Sequence, residues 1–220
     1  MISTPGDRSP VLVLVAHPDD AEIAVGGTIA KLRSAGVRVV VAVMTVPEEG
    51  NSADQRVRHT EEAAATLGYE LCWLPRRYLQ VEAMGEVQAV REVDQLLREV
   101  RPSTVLTHWR GDGHVDHRLT ANAALAALRN HQIDLYAFRP GEPQTPAAAL
   151  FSPTVFVDIT DHTHVKAAAL HPFTLPRPGF RPVDPLPIDA TDQFYGRLSG
   201  CDRAEAFVVE RQHGLSGVPT

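Results

Sequence analysis

Along this chain, short continuous apolar runs alternate with longer segments in which apolar residues recur at helical spacing. The run at 11–15, Val-Leu-Val-Leu-Val, has no polar alternation, as expected of a strand buried on both faces. Residues 28–35 read as a helix that Gly36 is placed to stop in the left-handed conformation. A valine-rich strand follows at 37–45, then a polar loop at 47–54 and a helix ending at Leu67 and Gly68. A short third strand is predicted at 71–74. Apolar residues at Val90, Val93, Leu96, Leu97 and Val100 predict a helix over 87–100, closed by Pro102. A fourth strand at 104–107, a helix at 118–129 and a fifth strand at 133–138 complete the series.

This strand–helix alternation predicts an α/β fold, a mostly parallel sheet flanked by helices on both faces. If the strand order is 3-2-1-4-5, the first and fourth strands are neighbours where the winding reverses, and the loops after them share a crevice. Beyond residue 138 the texture changes. Proline-rich stretches at 139–153 and 172–189 are expected as loops at the rim of the active site, because long loops in compact domains are commonly functional. Between and after them, 155–159 and 206–210 read as strands and 165–170 as a short helix. The whole of 1–220 reads as one domain, a size that carries a substantial core.

Composition narrows the class of function. With 44% hydrophobic and 22% charged residues and a net charge of −6, the chain has no basic footprint for nucleic acid or anionic lipid. No run approaches the ~20 apolar residues of a membrane span, and the first residues lack a signal-peptide pattern. Cys72 and Cys201 make no disulfide framework. The expected setting is cytoplasmic and the expected partner a small molecule; the sequence leaves a homo-oligomer open.

Chemistry concentrates at two strand ends. The first strand runs directly into Ala16-His17-Pro18-Asp19-Asp20-Ala21-Glu22, and the fourth is followed by His114-Val115-Asp116-His117. Alone, Asp19 or Asp20 reads as a helix cap and the two histidines as surface residues at a helix start. Two such clusters on neighbouring strand ends point instead to one metal site. Catalytic zinc typically takes three protein ligands and keeps an open position; His17, Asp20 and His117 supply such a set. Asp19 is then placed as general base for a water whose pKa the metal lowers to ~7. His114, three residues before His117, is a candidate acid or oxyanion partner, and Asp116 a carboxylate to orient an imidazole. Glu22 could pack behind His17 or stand as a solvated acid at the helix start, and His108 could line the pocket.

The segment from Ala16 to Glu22, followed by Gly26-Gly27-Thr28-Ile29-Ala30-Lys31-Leu32, resembles the first motif of the PIG-L/LmbE-like zinc N-deacetylases. His114-Val115-Asp116-His117 is similar to that family's second motif, where proline is usual in place of Val115. A looser likeness reaches Val155-Phe-Val-Asp-Ile159 and Ala204-Glu-Ala-Phe207. The resemblance implies a Rossmann-like fold and a zinc-dependent deacetylase acting on an N-acetylglucosamine unit, with iron or cobalt able to occupy the same ligands. It implies that His17, Asp20 and His117 bind the metal, that Asp19 is the base, and that His114 stabilises the oxyanion or protonates the leaving amine. Arg56 falls where many members carry a substrate-contacting arginine, with Arg58 as a rival. Asp112 stands where some members place a tyrosine, and is a candidate substrate contact. Two other readings keep the same residues: an amidase for a thiol conjugate or antibiotic intermediate, and a silent sugar- or metal-binding module.

Overall fold

In a computed structural model of the chain, residues 9–46, 50–75, 78–141, 146–176 and 181–213 are described. The valine-rich and leucine-rich runs form the centre of a seven-stranded sheet. Its parallel strands are β1 (Val11–Val15), β2 (Val39–Val43), β3 (Glu70–Trp73), β4 (Thr104–His108) and β5 (Asp134–Phe138). They lie in the order β3-β2-β1-β4-β5, so the winding reverses between β1 and β4 as expected. β6 (Val155–Asp158) and β7 (Ala204–Arg211) extend the sheet beyond β5; β7 lies between them and runs antiparallel to both.

Because side chains alternate across a strand, β1 feeds two cores. Val11, Val13 and Val15 pack on one face with Ile29 of α1 (Asp20–Ser34), Ala63 and Leu67 of α2 (Gly50–Leu67) and Ala169. Leu12 and Leu14 pack on the other with Met84 of α3 (Val81–Met84), Val93 and Leu97 of α4 (Glu86–Val100), and Ala124 of α5 (Val115–Ala127). Full burial of a valine or leucine side chain is worth ~1.5–3 kcal/mol, so this double-sided strand is firmly seated. It is also the strand that carries the first motif.

Several helices depart from the sequence pattern. α1 begins at Asp20, not residue 28, and is broken at Val25, where φ is −139° and ψ 16°. Its residues 24–30 are all buried, so no amphipathic period marks its start. α2 begins at Gly50, within the stretch expected as a loop over 47–54; residues 47–49 lie outside the described residues. α5 starts at Val115 because His114 takes the N-cap position.

Neither proline-rich stretch is a plain loop. Residues 146–150 form a single tight helical turn, and His171–Thr174 forms another. The chain then adds α6 (Thr163–Leu170) before that second turn and α7 (Pro185–Ser199) after it. α7 was hidden by its prolines: Pro185 and Pro187 occupy its first turn, where a missing N–H costs nothing. Asp184 caps it, accepting the Leu186 N–H at 3.0 Å. Residues 142–145 and 177–180 of these stretches lie outside the described residues.

Candidate metal centre at the ends of β1 and β4

The register of β1 against β4 pairs Leu14 with Thr107, which brings the residues just beyond both strands together. The link is direct: the Ala16 N–H donates to His108 Nε2 at 3.0 Å. His108 must therefore present an unprotonated Nε2. Burial, aided by the nearby charge of His117, lowers its pKa to about 4, consistent with a neutral ring. His108 is 2% exposed, so it lies beneath the site as part of its floor.

Asp20 is the hub. Its Oδ2 accepts the His17 N–H at 2.7 Å and lies 3.3 Å from His108 Nε2 and 3.8 Å from His17 Nδ1. Its Oδ1 lies 3.4 Å from His117 Nε2. Burial by itself would raise the Asp20 pKa, but the charge of His117 outweighs it and holds the carboxyl well below its usual range.

Both outer imidazoles are backed by a carboxylate on their far nitrogen. His17 Nε2 meets Asp116 Oδ2 at 2.9 Å, which leaves Nδ1 on the Asp20 side. His117 Nδ1 meets Asp112 Oδ2 at 3.0 Å, which leaves Nε2 on the Asp20 side. Asp116 also accepts the Glu82 N–H through Oδ1 at 3.0 Å, so it is itself fixed. Carboxylate-backed histidines converging on a third ligand are the usual surroundings of a bound divalent ion.

The electrostatics agree. Burial lowers the proton affinity of His117, but Asp20 and Asp112 overcome it and lift its pKa to about 10. A site that raises proton affinity so far favours a cation at the same place. Among the described residues, two groups of three bring ligand atoms within 4.8 Å of one another: His17, His114 and His117, and Asp20, His108 and His117. Neither group is the expected set of His17, Asp20 and His117: His17 and His117 meet in the first, Asp20 and His117 in the second, and His17 Nδ1 lies 3.8 Å from Asp20 Oδ2. The donor chemistry of all three fits a divalent metal.

Asp19 occupies the residue before α1 but does not cap it with its side chain, and its backbone is left-handed, with φ 83°. Its Oδ2 accepts from Arg56 Nη2 at 2.7 Å, and the same nitrogen donates to the Pro18 carbonyl at 2.6 Å. Arg56, from α2, is 8% exposed and holds the motif loop from behind. Glu22 is buried; burial raises its pKa to about 7, and it accepts the Tyr69 hydroxyl at 2.7 Å. It therefore packs inward and is not a solvated acid.

His114 is the exposed histidine of the cluster. Its ring lies 5.0 Å from that of His17 and is stacked 4.5 Å from that of His117. Its Nδ1 accepts the Asp116 N–H at 3.2 Å, so any ring proton is on Nε2. Asp112 is buried and fully engaged, Oδ2 on His117 and Oδ1 on the His114 N–H at 2.8 Å. That geometry makes it a brace for both histidines, where the sequence suggested a substrate contact. Its place five residues before His117, in the loop leading to α5, was the available signal.

Residues 12–128 match the family model described as GlcNAc-PI de-N-acetylase. The chain is 30% identical to the diacetylchitobiose deacetylase of Thermococcus kodakarensis, over 90% of this chain and 82% of that one. It is 28% identical to the 1D-myo-inositol 2-acetamido-2-deoxy-alpha-D-glucopyranoside deacetylase of Actinosynnema mirum, over 94% and 84% of the two chains. Its fold is similar to that of the N,N'-diacetylchitobiose deacetylase from Pyrococcus horikoshii, with a TM-score of 0.74, 25% identity, and coverage of 92% and 84%. No helix among the described residues is long and apolar enough to cross a membrane.

Proposed function

Because the chain belongs to the GlcNAc-PI de-N-acetylase (PIG-L) family, we propose that it hydrolyses the acetamide of an N-acetylglucosamine unit in a small molecule or glycoconjugate. It is a deacetylase, a hydrolase of N-acetyl sugar amides. The observation that supports the finer reading is the convergence of two carboxylate-backed imidazoles on Asp20, with Asp19 held beside them.

In this reading His17, Asp20 and His117 hold a divalent ion, with zinc favoured by the His₂Asp set and iron or cobalt able to replace it. The bound ion supplies Lewis acidity and a water acidic enough to be deprotonated near neutral pH. Asp116 and Asp112 hold the two imidazoles in the orientation that ligation needs. Arg56 holds Asp19 in place to accept the proton of the attacking water, and Asp19 can return that proton to the leaving amine. With Nδ1 accepting the Asp116 N–H, the ring proton of neutral His114 is on Nε2, available to donate a hydrogen bond to the carbonyl oxygen as negative charge develops on it. Its lowered pKa, due first to burial and then to His117, suits a neutral donor.

The test is a screen of N-acetylated glycosides, including N,N'-diacetylchitobiose and inositol-linked and nucleotide-linked N-acetylglucosamine. Release of acetate and free amine should occur with zinc and cease with a chelator. Absence of acetate release across the panel, with thiol-conjugate amides cleaved instead, would move the activity to another amide.

A further inference from the structure

Four charged side chains lie buried together away from the metal centre: Arg139 after β5, Lys166 on α6, Asp192 on α7 and Glu205 on β7. None is more than 3% exposed. Lys166 Nζ donates to Asp192 Oδ2 at 2.6 Å and to Glu205 Oε1 at 2.7 Å. Arg139 Nη2 lies 3.5 Å from Asp192 Oδ1. Two cations and two anions balance, yet burying such a group is costly, and apolar residues of similar volume commonly do as well for stability. The quartet calls for a reason other than stability.

Its contacts with α1 supply one. In an unbroken helix the N–H groups of Gly27 and Thr28 would donate to the carbonyls of Ile23 and Ala24. The break at Val25 interrupts that ladder. Here the Gly27 N–H donates to Glu205 Oε1 at 2.9 Å and the Thr28 N–H to Glu205 Oε2 at 2.6 Å. The Ile23 carbonyl accepts from Arg139 Nη2 at 3.3 Å. One anion takes donors released by the break, one cation takes a released acceptor, and Lys166 and Asp192 tie the two together.

The glycine pair lets this assembly close. A Cβ on Gly26 would lie 3.1 Å from Lys166 Cγ, and one on Gly27 would lie 2.7 Å from the Ile159 side chain. Glu205 and Ile159 fall within the two late segments of the sequence that the metal centre itself leaves unexplained.

We propose that Glu205, held by Lys166, is a positioning residue for the metal centre. By capping the second half of α1 it fixes the break at Val25, and so the angle at which the first turn presents Asp19 and Asp20. Asp20 must meet His17, His108 and His117 at once, so a small rotation of that turn separates it from its partners. Displacements near 1 Å at such a site cost up to about 10²-fold in rate. The inference rests on the reading of Asp20 as metal ligand and Asp19 as base.

The experiment compares Glu205→Gln, Gly26→Ala and His17→Ala with the unaltered protein. The readouts are zinc affinity by chelator competition, and kcat and KM on an N-acetylated glycoside that the unaltered protein cleaves, at saturating zinc. Glu205→Gln should bind zinc about 10-fold more weakly, as loss of an outer support typically does. Its kcat should fall about 10-fold with KM within about twofold. Gly26→Ala, which only presses a methyl on the Lys166 stem, should show a smaller loss in the same direction. A Glu205→Gln protein that melts earlier yet binds zinc and turns over normally would overturn the proposal. If Glu205→Gln does not fold, Gly26→Ala decides it by the same readouts, and normal values there overturn it. Zinc lost from His17→Ala but kept in both other variants removes this inference and leaves the metal centre standing. Zinc kept in His17→Ala removes both.

Discussion

Arg56 Nη2 donates to Asp19 Oδ2 at 2.7 Å while Asp19 sits in the left-handed backbone region at φ 83°. For a residue other than glycine such a conformation costs ~1–3 kcal/mol and persists only where its surroundings enforce it. The second bond, from the same nitrogen to the Pro18 carbonyl, ties the backbone and the side chain of the motif loop to one guanidinium. Arg56→Met should lower kcat by about 10-fold or more through a misplaced base, with metal content unchanged. Arg56→Lys should recover only part of the loss, since the lysine nitrogen lies one bond nearer the backbone than Nη2 and cannot sit where Nη2 meets both acceptors. Full turnover in Arg56→Met would show that Asp19 keeps its orientation without it.

Asp19 and Asp20 are adjacent and chemically identical, yet one faces Arg56 and the other three imidazoles. Asp20→Asn should weaken metal binding, because the buried negative charge at the centre of the histidines is lost. Asp19→Asn should keep the metal and lower kcat by about 10²-fold or more, because an amide cannot accept the proton of water. Metal analysis by mass spectrometry alongside kcat separates the two. Metal lost from Asp19→Asn and kept in Asp20→Asn would exchange their roles.

Much of this arrangement was legible because the central strands are short continuous runs rich in valine and leucine, and because the first cluster directly follows one such run while the second comes in the loop after another. The meeting of the two motifs followed from the 3-2-1-4-5 order alone. The start of α1 was not legible, since a helix buried on nearly every side carries no amphipathic period. α7 was concealed by prolines that its first turn accommodates. The brace that Asp112 forms on His117 depends on loop geometry, which spacing does not specify. Arg139, Lys166, Asp192 and Glu205 each look like a surface charge in sequence, and only the chain's closure brings them together.

Gly27 makes a prediction about packing independent of the metal. A Cβ there would meet three atoms of the Ile159 side chain at 2.7–2.8 Å, and Ile159 is fully buried. Gly27→Ala should therefore destabilise the protein, by ~1–3 kcal/mol as overpacked cores commonly do. The mutation normally favours a helix, so the sign of the change in thermal unfolding is informative. Adding Ile159→Ala, which removes the obstructing atoms, should give back part of the loss caused by Gly27→Ala. Simple additivity of the two in denaturant unfolding would mean that they do not clash.

His114 separates two arrangements of the centre. If Asp20 completes the ligand set, His114 acts only as charge develops on the carbonyl oxygen. His114→Ala should then lower kcat by about 10²-fold, with metal content and KM little changed. The structure also brings His114 within 4.8 Å of His17 and His117 as a group able to take an ion on its own. If that group held the ion, His114→Ala would lose metal and Asp20→Asn would retain it. The hydrogen bonds favour the first outcome. His17 and His117 are braced so that each leaves a nitrogen toward Asp20, whereas His114 is held through Nδ1 by a backbone N–H. Metal content measured in both variants under one buffer condition therefore decides which residue completes the ligand set and which faces the oxyanion.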